Sequence, residues 1–340
     1  MCNIAGYVGS RKAAPILIEM MRKEEAFAGG FYTGLATLYE GKIYHEKLTG
    51  DLDTLLKNTD AKNLRGNIGI IHSRSKSGGG DAWSHPFIAK GGSCAYVANG
   101  SAGFFKSRVP EYAGIAQTLI DNGYKMAYEN VDKKSYPTLS NGLSVHMSDV
   151  MAQLIGSKLD SGIPAMQAME QAFCEMPSEI VGLTIDKNVP DSIFVARINM
   201  PMWIAQADHG TYLASTPFAF PEDAHDFTHI PAMSAARVSK NAYEIKPFEK
   251  SVCTVAQITP KVLCEAYRVL YENANDSNMS EMENLVRPLF EKADVLQDPS
   301  LQYEVLYQLH LEGRLKIEVK RREGVLPGTT APKNYMTVIK

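Results

Sequence analysis

Long apolar runs are missing from the 340 residues: nothing approaches the ~18 consecutive apolar side chains of a membrane span. A basic flank followed by an apolar stretch is missing from the N-terminus too, so no secretory leader is expected. Cysteine is sparse. The five (Cys2, Cys94, Cys174, Cys253 and Cys264) are odd in number, widely spaced and without a CxxC pair. That pattern fits a reducing cytoplasm and carries no metal-site signal. His209, His225 and His229 also lack paired metal spacing and read as surface or loop histidines. No metal or other cofactor is implied. Excess charge of one sign is absent, the net being −3, so nucleic acid is not an expected partner. What is left, 45% hydrophobic and 21% charged residues, suits an ordinary soluble globular protein. The length allows one large domain, or one of about 250 residues with a small appendix.

The first stretch with chemical content is Met1-Cys2-Asn3-Ile4-Ala5-Gly6-Tyr7-Val8-Gly9. Residues 4 to 8 read as a short strand closed by Gly9. Cysteine is small enough that removal of Met1 is expected, which would leave Cys2 as the N-terminal residue. Its thiol and a free α-amine then share one residue. The amine has a reference pKa of roughly 7.7–8.0, so near neutrality it can take the thiol proton as a built-in general base. The plainer alternative is an ordinary buried cysteine at the start of a strand.

Two later stretches bear on that choice. In Ile68-Gly69-Ile70-Ile71-His72-Ser73-Arg74-Ser75-Lys76-Ser77-Gly78-Gly79-Gly80 a buried strand runs into a glycine-rich polar loop. The guanidinium of Arg74 can grip a carboxylate through two parallel hydrogen bonds, and the glycines let backbone approach a ligand. A solvated surface loop would look the same. In Ser93-Cys94-Ala95-Tyr96-Val97-Ala98-Asn99-Gly100 an apolar strand ends in Asn-Gly. That dipeptide marks either a tight hairpin turn or two donors, the Asn99 amide and the Gly100 N–H, able to hold an oxyanion.

Taken together, Cys-x-Ile-x-Gly-Tyr-Val-Gly, His72-Ser73-Arg74, Ser84-His85-Pro86-Phe87 and Asn99-Gly100 resemble the class II, N-terminal-nucleophile glutamine amidotransferases. The glutaminase domain of glucosamine-6-phosphate synthase is the most similar form. The resemblance implies an α+β fold of the Ntn-hydrolase type, a four-layer αββα sandwich over residues 1–258. It implies hydrolysis of glutamine to glutamate and ammonia, with Cys2 as nucleophile and Asn99 and Gly100 as the oxyanion pair. It places Arg74 on the substrate carboxylate and sets Ser77 where the family has a loop threonine. The family histidine after that threonine is replaced by Gly78. A second departure is Met147, which aligns with the aspartate that holds the substrate ammonium. Asp149, two residues on, is the acidic candidate that remains, its other role being a helix first-turn charge.

Around these stretches the pattern predicts helices at Pro15–Arg22, Asp51–Asn58, Glu111–Asn122, Ser148–Asp160 and Gly162–Phe173. Phe31–Tyr39 and Lys42–His45 read as paired strands. Ile180–Ile185, Ser192–Arg197, Met202–Ala207 and Thr211–Ser215 read as a meander of antiparallel strands. From residue 259 to 340 the order is three amphipathic helices (Lys261–Tyr271, Ser280–Lys292, Leu301–Leu311), then strands at Leu315–Lys320 and Tyr335–Ile339. That order resembles a winged helix. Its basic and acidic residues are nearly equal in number, which favours a docking or dimerisation module over one for DNA. These residues are too few for the synthase's two sugar-isomerase domains. Ammonia would pass to a separate partner protein or be released, and a homo-oligomer is expected. Two other functions stay open: an amidohydrolase for an amide other than glutamine, and a catalytically inactive regulatory or binding protein of the same fold.

Overall fold

The computed structural model describes residues 2–131 and 135–340. In chain order its elements are β1 (Asn3–Gly9), α1 (Ala13–Ala28), β2 (Tyr32–Tyr39), β3 (Lys42–Thr49), α2 (Leu52–Asn58), β4 (Ile68–Arg74), β5 (Phe87–Ile88) and β6 (Cys94–Ser101). There follow α3 (Val109–Asp121), β7 (Tyr128–Glu129), β8 (Ser144–Val145), α4 (Met147–Asp160), α5 (Ala165–Glu175), β9 (Glu179–Asp186) and β10 (Ser192–Arg197). Next are β11 (Trp203–Ala207), β12 (Gly210–Ala214), β13 (His225–His229), β14 (Ser234–Ser239) and β15 (Tyr243–Pro247). The chain closes with α6 (Pro260–Asn273), α7 (Met279–Val286), α8 (Asp298–Leu311), β16 (Leu315–Glu323) and β17 (Thr330–Val338).

Among the described residues the strands assemble into two large sheets with antiparallel pairing. One runs β13-β11-β12-β1-β4-β2-β3 and the other β15-β14-β10-β9-β6-β5. Both faces of the central strands are buried, which explains why β1, β4 and β9 read as nearly continuous apolar runs. In β1 the period-two alternation sends Ile4 and Val8 into the layer between the sheets, with Ile70, Val97, Leu183 and Val195. Ala5 and Tyr7 face the other way, against Leu17, Met20 and Met21 of α1. The second sheet is covered on its outer face by α3, α4 and α5 through Tyr112, Ile155, Met169 and Phe173. Helix, sheet, sheet, helix: the four layers follow from which faces are apolar.

The strands from 180 to 215 do not form one meander. β9 pairs with β10 in the second sheet, and β11 pairs with β12 in the first. The crossing at Asn199-Met200-Pro201 is held by Arg197, whose fully buried guanidinium donates to the carbonyls of Met200, Ile230 and Asn199. It also reaches Gln297 and Ser300 at the start of α8. Five acceptors around one desolvated cation pin the sheet-to-sheet step, a job that a hydrophobicity pattern cannot show.

The C-terminal helices do not sit apart. Val262, Ala266, Leu270, Met282, Leu306 and Leu309 join the same apolar cluster as α1 and the outer face of the first sheet. Helix α7 starts at a capping box of Asn278 and Glu281, one residue ahead of the Met279 where the helix begins. No described helix is long and apolar enough to cross a membrane.

His209 departs from its surface reading. It lies in the turn before β12 but is buried, with Nδ1 2.8 Å from the Tyr7 hydroxyl and Nε2 2.9 Å from Asp223. The His229 ring packs at a tilt against Trp203 with its Nε2 buried, whereas His225 is exposed.

Candidate active site

Cys2 stands at the start of β1, in the middle of the seven-stranded sheet, so the proposed nucleophile sits on one of the most constrained strands of the molecule. Asn99 comes from β6 of the other sheet. The Cys2 backbone nitrogen donates to Asn99 Oδ1 at 2.8 Å. That single contact joins the two sheets at the site and fixes the amide orientation, since Oδ1 is now the accepting end. The other end, Nδ2, is buried and has no acceptor among the described residues. A buried amide N–H without a partner is uncommon and marks a donor held ready for something. A second bridge lies just behind, where His72 Nε2 meets the Ala98 carbonyl at 3.0 Å.

Asn99-Gly100 is no turn. β6 continues to Ser101, with Asn99 opposite Val181 and Gly100 opposite Ile180 on β9. A Cβ at Gly100 would come 2.1 Å from the Glu179 carbonyl, so glycine is required by the close passage of β9.

A cavity of about 370 Å³ opens in front of Cys2. Cys2, Arg74, Ser77 and Gly100 line it, together with Ser75, His85, Lys106, Tyr136, His146, Met147 and Ser178. Arg74 is buried at the end of β4. Its Nη1 donates to the Trp83 carbonyl at 2.8 Å, its Nη2 to the Gly78 carbonyl, and its guanidinium lies 3.8 Å over the Tyr32 ring. Gly78 of the loop thus curls back onto Arg74, whose buried Nε has no acceptor among the described residues. Ser77 is exposed at the rim, with its hydroxyl on the Ser75 carbonyl at 3.3 Å.

Asp149 is not among the cavity-lining residues. Its Oδ2 accepts from Ala127 N at 2.9 Å and its Oδ1 from Gln153 Nε2 at 3.1 Å. It is a buried first-turn charge of α4 that anchors the preceding loop, and burial raises its pKa. The structure thus places Asp149 away from the cavity where its substrate-binding role was expected, with each oxygen already accepting one internal hydrogen bond. Met147 itself, the first residue of α4, does line the cavity.

Further side chains gather around Cys2 and Arg74. Ser75 places its Oγ 3.8 Å from Cys2 Sγ. His85 stacks on His72 with ring centroids 3.8 Å apart and meets His146 edge-on. Burial, with Arg74 nearby, lowers all three, His72 to about 3, so they stand as neutral rings beside the guanidinium. Their convergence depends on β4, the 84–88 segment and the α4 cap meeting in space. Ser75, His72 and His85 lie in or beside stretches that the sequence already singles out, whereas His146 carries no such signal. No group of histidine, cysteine, aspartate or glutamate suited to a metal ion occurs among the described residues.

Cys2 at the head of a central strand, Asn99 on the facing sheet and a cavity lined by Cys2, Arg74 and Gly100 come together at one place. The likeness to class II glutamine amidotransferases holds in sequence and in fold. No family model matches the chain. The isomerizing glutamine–fructose-6-phosphate aminotransferase of Pyrococcus horikoshii is 26% identical over 226 residues, 65% of this chain and 33% of that protein. Its counterpart in Zymomonas mobilis is 23% identical over 291 residues, 85% of this chain and 43% of that protein. The chain thus spans less than half the length of these curated relatives. Among solved structures, glutamine phosphoribosylpyrophosphate amidotransferase from B. subtilis shares the fold, with a TM-score of 0.59 at 15% identity over 80% of this chain and 58% of that chain. A structure described as the allosteric regulatory enzyme of purine biosynthesis also matches, with a TM-score of 0.59, 16% identity, and coverage of 81% of this chain and 58% of that chain.

Proposed function

We propose that this protein is a glutamine amidotransferase of the N-terminal-nucleophile class, hydrolysing the glutamine side-chain amide and supplying ammonia. The observation that carries the reading is the Asn99 amide, locked by Cys2 N on one side and unpartnered on the other. With Met1 removed, the α-amine of Cys2 occupies the position from which Cys2 N now donates. It takes the thiol proton as Sγ attacks the amide carbon, and the tetrahedral oxyanion is met by Asn99 Nδ2 and the Gly100 N–H. The same amine returns the proton to the leaving nitrogen, ammonia departs, and a thioester remains on Sγ. Water then attacks the thioester by the reverse proton path and releases glutamate. Arg74 receives the substrate carboxylate at the cavity floor, and Ser77 offers a hydroxyl at the rim.

In this reading the ammonia passes to an acceptor, a partner protein being one candidate, or is released. Residues 259–340, which follow the order of a winged helix, serve as a module added to the amidotransferase domain of residues 1–258. Met147 favours one variant of the reading: an amide substrate without a charged α-nitrogen, since a thioether cannot pair with an ammonium. Cys2→Ala tests both. It is expected to abolish ammonia release, and assays on glutamine beside N-acylated glutamine and simple amides show which substrate the wild type prefers. Undiminished hydrolysis by Cys2→Ala would refute the reading.

A further inference from the structure

Nothing in the proposed reaction uses the hairpin of β16 and β17, yet the hairpin touches the segments on both sides of Arg74. Arg322 Nη2 donates to the Gly29 carbonyl at 2.8 Å, and its guanidinium lies 4.4 Å over the Phe31 ring. Ala331 is fully buried against Phe31 and Tyr32. Gly30 has a φ of +97°, and a Cβ there would come 2.8 Å from Pro332 Cδ, so the two backbones meet without room for a side chain. The gripped segment leads directly to the arginine. Phe31 N donates to the Arg74 carbonyl at 3.1 Å, Tyr32 pairs with Arg74 across β2 and β4, and the Tyr32 ring carries the Arg74 guanidinium. On the far flank, Lys76 Nζ donates to the Gly324 carbonyl at 3.3 Å. Near its turn the hairpin is also tied down by Arg321, 2.8 Å from the buried carboxylate of Asp51.

We propose that this C-terminal hairpin is a positioning element for substrate binding, with Arg322 as its main positioning residue. It clamps Gly29–Tyr32, sets the ring on which the Arg74 guanidinium rests, and so fixes where that guanidinium meets a carboxylate. The inference rests on the assignment of Arg74 to the substrate carboxylate. Here a partly buried guanidinium, with an Nε that has no described acceptor, is spent on one backbone carbonyl and one ring beside the site.

The test uses the full chain and two probes of Cys2: iodoacetamide, which has no carboxylate, and a chloroketone analogue of glutamine, which has one. In Arg322→Ala the KM for glutamine and the half-saturating chloroketone concentration are expected to rise about tenfold, with kcat and iodoacetamide reactivity within about twofold of wild type. Arg322→Lys, able to make one donor contact and to sit over Phe31, is expected to recover part of the loss. Should Arg322→Ala not fold, Lys76→Ala removes the contact on the other flank and carries the same expectation with a smaller factor. An unchanged KM in a folded variant overturns the proposal. So does a parallel fall in kcat and iodoacetamide reactivity, which would signal general loosening. A wild-type Cys2 that reacts with iodoacetamide and never with the chloroketone would remove the carboxylate assignment, and this inference with it. A wild-type Cys2 inert to both would instead sink the proposed reaction at its nucleophile.

Discussion

In the proposed reaction Asn99 divides its two amide atoms between two tasks: Oδ1 accepts from the Cys2 nitrogen, and Nδ2, without an acceptor among the described residues, meets the oxyanion. Asn99→Asp separates them, because a carboxylate still accepts from the Cys2 nitrogen and offers no donor. Removing a single such donor costs on the order of 10²–10³ in rate. Steady-state kinetics on this variant should therefore show kcat down by roughly that factor with KM little changed. A variant with full kcat would mean that the oxyanion is held elsewhere. Asn99 was legible in the sequence as a candidate. Whether it sat in a turn or a strand was not, because Asn-Gly satisfies either backbone; the choice was made by β9 passing so close to Gly100 that no side chain fits.

At the scale of elements, Glu25 near the end of α1 ties that helix to three neighbours. Its Oε1 accepts from Leu52 N at 2.9 Å, Ser73 Oγ at 2.8 Å and Thr33 Oγ1 at 3.2 Å, joining α2, β4 and β2. Burial raises its pKa from 4.5 to about 7. Between those values the folded protein keeps a proton that the unfolded chain has released. The corresponding stability is complete below the ordinary carboxylate value and fades as pH rises through the folded one. Glu25→Gln keeps an oxygen for the three donors and removes the titration. Denaturant unfolding between pH 4.5 and 7.5 should show a flatter decline in this variant, by up to ~3 kcal/mol across the interval. Glu24, fully buried and raised in the same sense, keeps its own share of the slope. An unaltered pH profile would mean that Glu25 is not the group that titrates. No periodicity could have singled out Glu24 and Glu25. In sequence they look like the solvated end of a helix, and only the packing of β2, β4 and α8 around α1 buries them.

Across the whole molecule, the parts read best from sequence were those whose environment is local. Strands buried on both faces announce themselves as apolar runs, and Asp51, where the pattern starts α2, caps it by accepting from Thr54 N; α1, by contrast, runs on past Arg22 to Ala28. The parts read poorly depend on distant segments. Examples are the split of the 180–215 strands between two sheets, pinned by Arg197 reaching Gln297, and the docking of residues 259–340 on α1 through one shared apolar cluster. The cavity follows the same rule: Cys2, Arg74 and Gly100 could be picked out by residue type and neighbourhood, while Tyr136, His146 and Lys106 join them only in three dimensions.

Everything proposed for the reaction turns on one residue becoming a terminus and then carrying a substrate-derived adduct. Intact-mass spectrometry of the purified protein, before and after exposure to the glutamine chloroketone, reads both events at once. The expected result is a chain lighter by one methionine that gains a single adduct, mapped by fragmentation to Cys2 and absent in Cys2→Ala. A chain that retains Met1, or one that gains its adduct at another cysteine, would contradict the account.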